Sequence, residues 1–239
     1  MSPRDESRPE LWVCHLGRLP YREALALQLE LRDARERDLI ADTLLLLEHD
    51  PVYTRGRRSG PDELPFGEAW YAEQGIEVVD VDRGGRVTYH APGQLVGYPV
   101  LRTDDVVAHV RGLERALIDA LAQEGVAARS RADEGPDYTG VWVEGRKIAS
   151  IGVHVRRGVT THGFALNVDM DLEPWTWIIP CGLSAPMTSL AAETGRTGLL
   201  PCVRRRVAYA LALERGARQR LVSAARLRAL LDAGRVAVA

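Results

Sequence analysis

The stretch from residue 140 to residue 168 constrains the fold most. Gly140 to Glu144, Lys147 to Val155 and Val159 to Val168 are β-forming runs, interrupted only at Glu144-Gly145 and Arg157-Gly158. A residue-Gly pair between two such runs is the signature of a tight hairpin, because the favoured two-residue turns need left-handed backbone that glycine adopts without strain. The segment therefore predicts two consecutive antiparallel hairpins.

Around it, strand-like and helix-like patterns come in clusters. Leu11 to Leu16 reads as an opening strand, and Tyr21, Ala24, Leu25, Gln28 and Leu31 then fall on one helical stripe behind Pro20, which suits a helix start. Thr43 to Leu47 reads as a buried strand, followed by an arginine-rich loop, HDPVYTRGRRSGP, and a short helix around Phe66 to Gln74. Further strands are expected at Ile76 to Val81, Val87 to His90 and Leu95 to Leu101, and a helix at about Val106 to Gln123. Helices at Val203 to Glu214 and Leu221 to Leu231 close the chain. Clustered strands between helical runs predict an α+β fold, with mixed sheets flanked by helices. With 46% hydrophobic residues in 239, the chain can bury one large core. The expectation is a single catalytic domain over 1–239, with its core at about 11–215 and an arginine-rich helical extension over 216–239.

Charge and cysteine usage remove several classes of function. A net charge of −2 gives no overall attraction for nucleic acid or an anionic membrane. Wholly apolar runs such as Leu44 to Leu47 are too short to cross a bilayer, and the charged opening MSPRDESRPE reads neither as a signal peptide nor as an anchor. A cytoplasmic protein is expected. The cysteines Cys14, Cys181 and Cys202 are odd in number and form no C-x-x-C pair, so neither a disulfide framework nor a zinc ribbon is indicated. No H-x-x-x-H pair occurs, and a zinc site from His90, His154 and Cys181 would need a convergence that their spacing does not show.

Chemistry concentrates in three segments. RGGRVTYHAPGQLVGYPV, from Arg83 to Val100, sets adjacent glycines beside Thr88, His90 and Gln94, a composition that lets backbone approach a ligand but also suits two tight hairpins. In GRKIASIGVHVRRGVTTHGFALNV, simple alternation gives Lys147 the parity of Ala149, Ile151 and Val153. On such an apolar face desolvation disfavours the ammonium, as a proton acceptor requires, although an isolated lysine in a turn more often points to water. In WIIPCGLSAPMTS, Cys181 stands in a loop with apolar approaches and needs a basic neighbour to become a thiolate. Cys14, within a strand, and Cys202, at a helix start, read as packing residues.

Arg83-Gly84-Gly85, Thr88-Tyr89-His90, Pro92-Gly93-Gln94, Lys147-Ile148-Ala149-Ser150, His162-Gly163 and Pro180-Cys181-Gly182 together resemble the lipoyl(octanoyl) transferase family, in order, over residues 11–215. The resemblance implies a fold shared with biotin and lipoate protein ligases, with Cys181 as acyl-thioester nucleophile and Lys147 as its partner. It also implies substrate contacts from Arg83, Gly84, Gly85, Arg86, Val87, Thr88, Tyr89 and His90, from Ser150, Ile151 and Gly152, and from Gly163, Phe164 and Ala165. One departure is Ala91, where the family often has glycine and where an extra methyl would tighten a pocket rim.

The implied reaction moves octanoyl from octanoyl-acyl carrier protein to a lysine of lipoyl domains, in 2-oxoacid dehydrogenase complexes and the glycine cleavage H protein. Phosphopantetheine arrives on the donor, so the resemblance implies no ATP and no metal. Arg55, Arg57, Arg58, Arg156 and Arg157 are candidates for docking acidic partner proteins. Three alternatives remain: an ATP-dependent lipoate or biotin ligase, an amidotransferase that takes octanoyl from one lipoyl domain to another through a cysteine, and a noncatalytic module that uses Arg204 to Arg206 and the last helices to bind a partner.

Overall fold

The structure, a computed structural model, describes residues 8–179 and 185–236, with side chains described to residue 233. Strand β1 (Glu10–Arg18) leads to helix α1 (Tyr21–Glu36), whose buried stripe runs through Tyr21, Ala24, Gln28 and Leu31 as the spacing requires. Leu27 joins the stripe, and Leu25 is only half buried. β2 (Asp42–Glu48) pairs in parallel with β1. β3 (Val52–Arg55) then forms inside the segment expected to be a loop. Its short VYTR run is fully bracketed, between β4 (Glu77–Asp80), parallel, and β5 (Thr88–His90), antiparallel. The short helix α2 (Gly67–Glu73) connects β3 to β4.

β6 (Gln94–Val100) is buried at every position and lies between β2 and a later strand, so it carries no alternation. Helix α3 (Val106–Ala122) starts at Asp105, whose carboxylate accepts from the Ala108 N–H at 2.9 Å, closing an exposed donor of the first turn. The two-residue β7 (Arg129–Ser130) precedes the meander of β8 (Gly140–Val143), β9 (Arg146–Arg156) and β10 (Val159–Asn167). Both turn pairs are left-handed, with φ of 47° and 87° at Glu144-Gly145 and 48° and 75° at Arg157-Gly158, which is why a glycine stands second in each.

After a 3-10 turn at Glu173–Trp177 come the short helix α4 (Leu190–Thr194), helix α5 (Leu200–Glu214), β11 (Arg218–Leu221) and α6 (Ala224–Val236). The segment expected as a helical extension is part of the main body. β11 pairs in parallel with β1, Glu10 opposite Arg218, and Leu227 and Leu231 of α6 are buried against α1 and the sheet.

Among the described residues the strands form an eight-stranded mixed sheet, in the order β11-β1-β2-β6-β10-β9-β8-β7, and a three-stranded sheet β4-β3-β5. One face of the large sheet packs α3 and α5 on Leu44, Leu46, Leu95 and Leu166, and the other packs α1 and α6 on Leu45, Leu47, Val96 and Val100. The small sheet has its own aromatic core of Tyr53, Tyr71, Tyr89 and Trp175. No helix among the described residues is long and apolar enough to cross a membrane.

Candidate active site

A cavity of about 520 Å³ opens where the small sheet meets β9 and β10. Lys147 reaches it through a break in β9 that alternation does not reveal. Trp142 pairs with Lys147 but Val141 pairs with Ala149, so Ile148 is an extra, bulged residue. Ile148 and Ala149 consequently both enter the core beside Val141 and Val143. Lys147 is turned to the opposite face, that of Trp142, with its Nζ 5.3 Å from the indole centroid. The parity expected from sequence, with Lys147 on the face of Ala149, Ile151 and Val153, is thus corrected: the bulge puts it on the face of Ser150 and Gly152. Its side chain is 3% exposed, and it packs where Gly140 has none: a Cβ on Gly140 would sit 2.8 Å from Lys147 Cε and 2.4 Å from the Ala149 carbonyl oxygen.

Cys181 lies outside the described residues. The chain on both sides of it is held. The Ile179 N–H donates to the Glu63 carbonyl at 3.0 Å, and the preceding turn is gripped by the Tyr53 and Tyr71 hydroxyls, which donate to the carbonyls of Pro174 and Trp177. On the other side Lys147 forms a parallel bridge with Met187. Its N–H donates to the Pro186 carbonyl at 2.9 Å, and its carbonyl accepts from the Thr188 N–H at 3.0 Å.

The glycine-rich segment forms the opposite wall. Arg83, 6% exposed, directs its guanidinium inward. Nη2 donates to both the carbonyl and the hydroxyl of Thr54 at 2.7 Å, and Nη1 donates to the Arg86 carbonyl at 2.8 Å. This guanidinium shapes the loop. Gly152 lies so close beneath that a Cβ there would stand 2.8 Å from the Gly84 oxygen, while the Gly84 N–H donates to the Val153 carbonyl at 3.0 Å. Glu63 secures the far side, accepting from the Val87 N–H and from Arg86 Nη1.

His90 donates from Nδ1 to Gln94 Oε1 at 2.8 Å. The Gln94 amide donates in turn to Asn167 Oδ1 at 2.9 Å, and the Asn167 amide to the Thr188 carbonyl at 2.9 Å. Buried side-chain amides thus tie the P-G-Q turn to the residue that brackets Lys147. Burial, reinforced by the nearby His49, holds His90 well below the usual imidazole range, so the ring is neutral at pH 7. His49 behind it is pushed down to about 4 by the same desolvation. It donates from Nδ1 to the Leu19 carbonyl and accepts at Nε2 from the Tyr98 hydroxyl.

Of the substrate contacts expected from sequence, every residue lines this cavity except Tyr89. On β5 the side chains alternate, so Thr88 and His90 face the cavity while Tyr89 turns into the aromatic core, 5.1 Å from Tyr53 and 5.9 Å from Trp175 between ring centroids. Ala91 also packs in that core, so its methyl is away from the cavity. Sequence reasoning did not find the other walls: Tyr21, Tyr98, the first turns of α3 at Val106, Val107 and Val110, and a strap over 132–139. Only Tyr21, the first residue of the helical stripe, carried a signal. The strap is held by Asp137, which pairs with Arg58 at 2.9 Å, and by Trp142, whose indole N–H donates to the Tyr138 carbonyl. Among the described residues no cluster of His, Cys, Asp and Glu could hold a metal ion.

A mixed sheet backed by helices, a glycine-rich wall and a buried lysine facing it together define a lipoyl-ligase type of catalytic domain. Residues 20–212 match the lipoyl protein ligase A/B catalytic domain, and the chain belongs to that family. Within it, the chain is 50% identical over 206 residues to an octanoyltransferase of Mycobacterium tuberculosis, covering 83% of this chain and 84% of that one. An octanoyltransferase of Solibacter usitatus is 49% identical over 188 residues, covering 77% of this chain and 84% of the relative. A putative lipoate protein ligase from T. acidophilum has the same fold, with a TM-score of 0.72 at 18% identity, over 94% of this chain and 93% of that chain.

Proposed function

We propose that this acyltransferase takes octanoyl from the thioester of an acyl carrier protein, holds it on Cys181, and passes it to a lysine of a lipoyl domain. The observation that carries the reading is the bulge at Ile148, which turns Lys147 into the cavity while bonding its backbone to Pro186 and Thr188, just past Cys181. Only four residues stand between Cys181 and Pro186, so the five steps of an extended chain reach at most about 18 Å.

In the first step the Cys181 thiol gives its proton to Lys147, and its sulfur bonds to the acyl carbonyl carbon. The carrier's carbon–sulfur bond breaks, and the phosphopantetheine thiolate leaves with a proton returned by Lys147. In the second step the acceptor amine attacks the enzyme thioester, the carbon–sulfur bond to Cys181 breaks as the amide forms, and the proton lost by the amine passes through Lys147 to the released sulfur. A thioester is already activated, so no ATP and no metal is required. The acceptors are lipoyl domains of 2-oxoacid dehydrogenase complexes and the glycine cleavage H protein, in the cytoplasm. Substrate contacts are assigned to Arg83 through Thr88 and His90, to Ser150 to Gly152 and to Gly163 to Ala165, with Arg83 shaping the wall. Of the arginines considered for docking, Arg55, Arg58 and Arg157 pair with acidic side chains of this chain, leaving Arg57 and Arg156 as the better candidates.

Intact-mass measurement after incubation with octanoyl-acyl carrier protein is expected to show one octanoyl adduct without ATP, mapping to Cys181 and absent from Cys181→Ala. An adduct that persists in that variant would overturn the reading. Lys147→Ala is expected to keep the fold and lose about a hundredfold or more in transfer rate; near-normal kinetics would remove its role as base.

A further inference from the structure

His162 is held in the cavity wall by unusual means. Its backbone has φ of 60°, a left-handed conformation uncommon outside glycine, and two hydrogen bonds oppose its relaxation. Its N–H donates to Gln28 Oε1 of α1 at 2.7 Å, and its Nε2 donates to Asp82 Oδ1 at 2.7 Å. Asp82 also accepts from His154 Nδ1, which holds the carboxylate between two rings. With Nε2 carrying the proton, Nδ1 of the neutral ring is an acceptor. It is buried and has no hydrogen-bond partner among the described residues. The residue is 1% exposed, yet it lines the cavity.

Its place along the strands gives the arrangement a purpose. From Lys147 the cavity wall passes the pair Ser150 and Ala165, then the facing glycines Gly152 and Gly163, and then reaches Val153, the partner of His162. With the bulge at Ile148 counted out, five strand steps of about 3.3 Å make that distance about 17 Å, shared by the Lys147 side chain, the acyl group and the imidazole. Both glycines stand where backbone comes close, since a Cβ on Gly163 would run into the Gly97 carbonyl and one on Gly152 into the Gly84 carbonyl, and His162, next along β10, adds a rigidly held ring to the cavity wall. We propose that His162 is the stop against which the acyl chain ends, and that it makes the enzyme discriminate against chains longer than octanoyl. A longer chain would have to displace a ring anchored through its backbone N–H to Gln28 and through Nε2 to Asp82, a penalty of about tenfold or more in binding.

This inference rests on the reading that the reacting end lies at Lys147, and the test separates the two. Rates of enzyme acylation are measured by intact mass with hexanoyl-, octanoyl-, decanoyl- and dodecanoyl-acyl carrier protein. The variants are His162→Gly and His162→Asn, since both residues accept left-handed backbone. His162→Gly is expected to raise the decanoyl-to-octanoyl rate ratio about tenfold, and His162→Asn, shorter but still polar, to raise it about threefold. A uniform loss with all chain lengths, or a ratio within twofold of wild type in either folded variant, would overturn the proposal. Absence of any adduct in the wild-type protein would instead overturn the thioester reading.

Discussion

Gly97 illustrates how far a single missing side chain shapes this site. A Cβ there would lie 2.1 Å from Phe164 Cζ, because the phenyl ring of β10 folds flat onto β6. Gly97→Ala would drive that ring outward, and Phe164 lines the cavity. The expected result is a rise in KM for the octanoyl donor together with a stability loss of about 1–3 kcal/mol, read by steady-state kinetics and thermal melting. Cys14 invites the opposite expectation. Burial pushes the Cys14 thiol up to about 11, so the native protein at pH 7.5 should leave it unlabelled by a thiol-reactive reagent, and labelling should appear only on unfolding. Fast native labelling of Cys14, mapped by peptide mass, would contradict its role as a packing residue.

The meander of β8, β9 and β10 was legible because its turns require a particular backbone, and glycines announced it. β3 was not legible, since a four-residue strand protected on both sides needs neither alternation nor length. The bulge was invisible for a related reason: one extra residue leaves every residue type unchanged and reverses the face of all that precedes it. Lys147, singled out by motif, was therefore aimed at the wrong face by parity, and Tyr89 was drawn into the site by adjacency to Thr88 and His90. α6 is the element whose contribution is most easily isolated. Leu227, 1% exposed, packs under it far from the cavity. Leu227→Ala is expected to cost about 2–5 kcal/mol, seen as a lower Tm, with octanoyl transfer unchanged well below that temperature. A Tm within a degree of wild type would show that α6 is a loosely attached tail.

Across the whole molecule, buried imidazoles couple stability to pH. Burial pushes His49 and His109 down to about 4 and holds His90 well below the usual imidazole range, whereas an unfolded chain titrates near the ordinary value of 6.5. Below pH 6.5 the unfolded chain therefore binds protons that the folded one refuses, so stability falls on acidification toward pH 4. Thermal melts are expected to show a marked drop in Tm between pH 7 and 5, smaller in His109→Gln, a site away from the cavity. A Tm that is flat across this range would contradict neutral burial. The large sheet also has a history written into its order. β1 pairs on one side with β2, about thirty residues later, but its other side waits for Arg218 to Leu221. During synthesis that outer edge is bare while the roughly two hundred residues between β1 and β11 emerge, a ready template for a neighbouring nascent chain. A chain cut between residues 215 and 218 would keep every described strand but β11 and carry an adhesive margin, so quality control has most to do just before Arg218 to Leu221 appear.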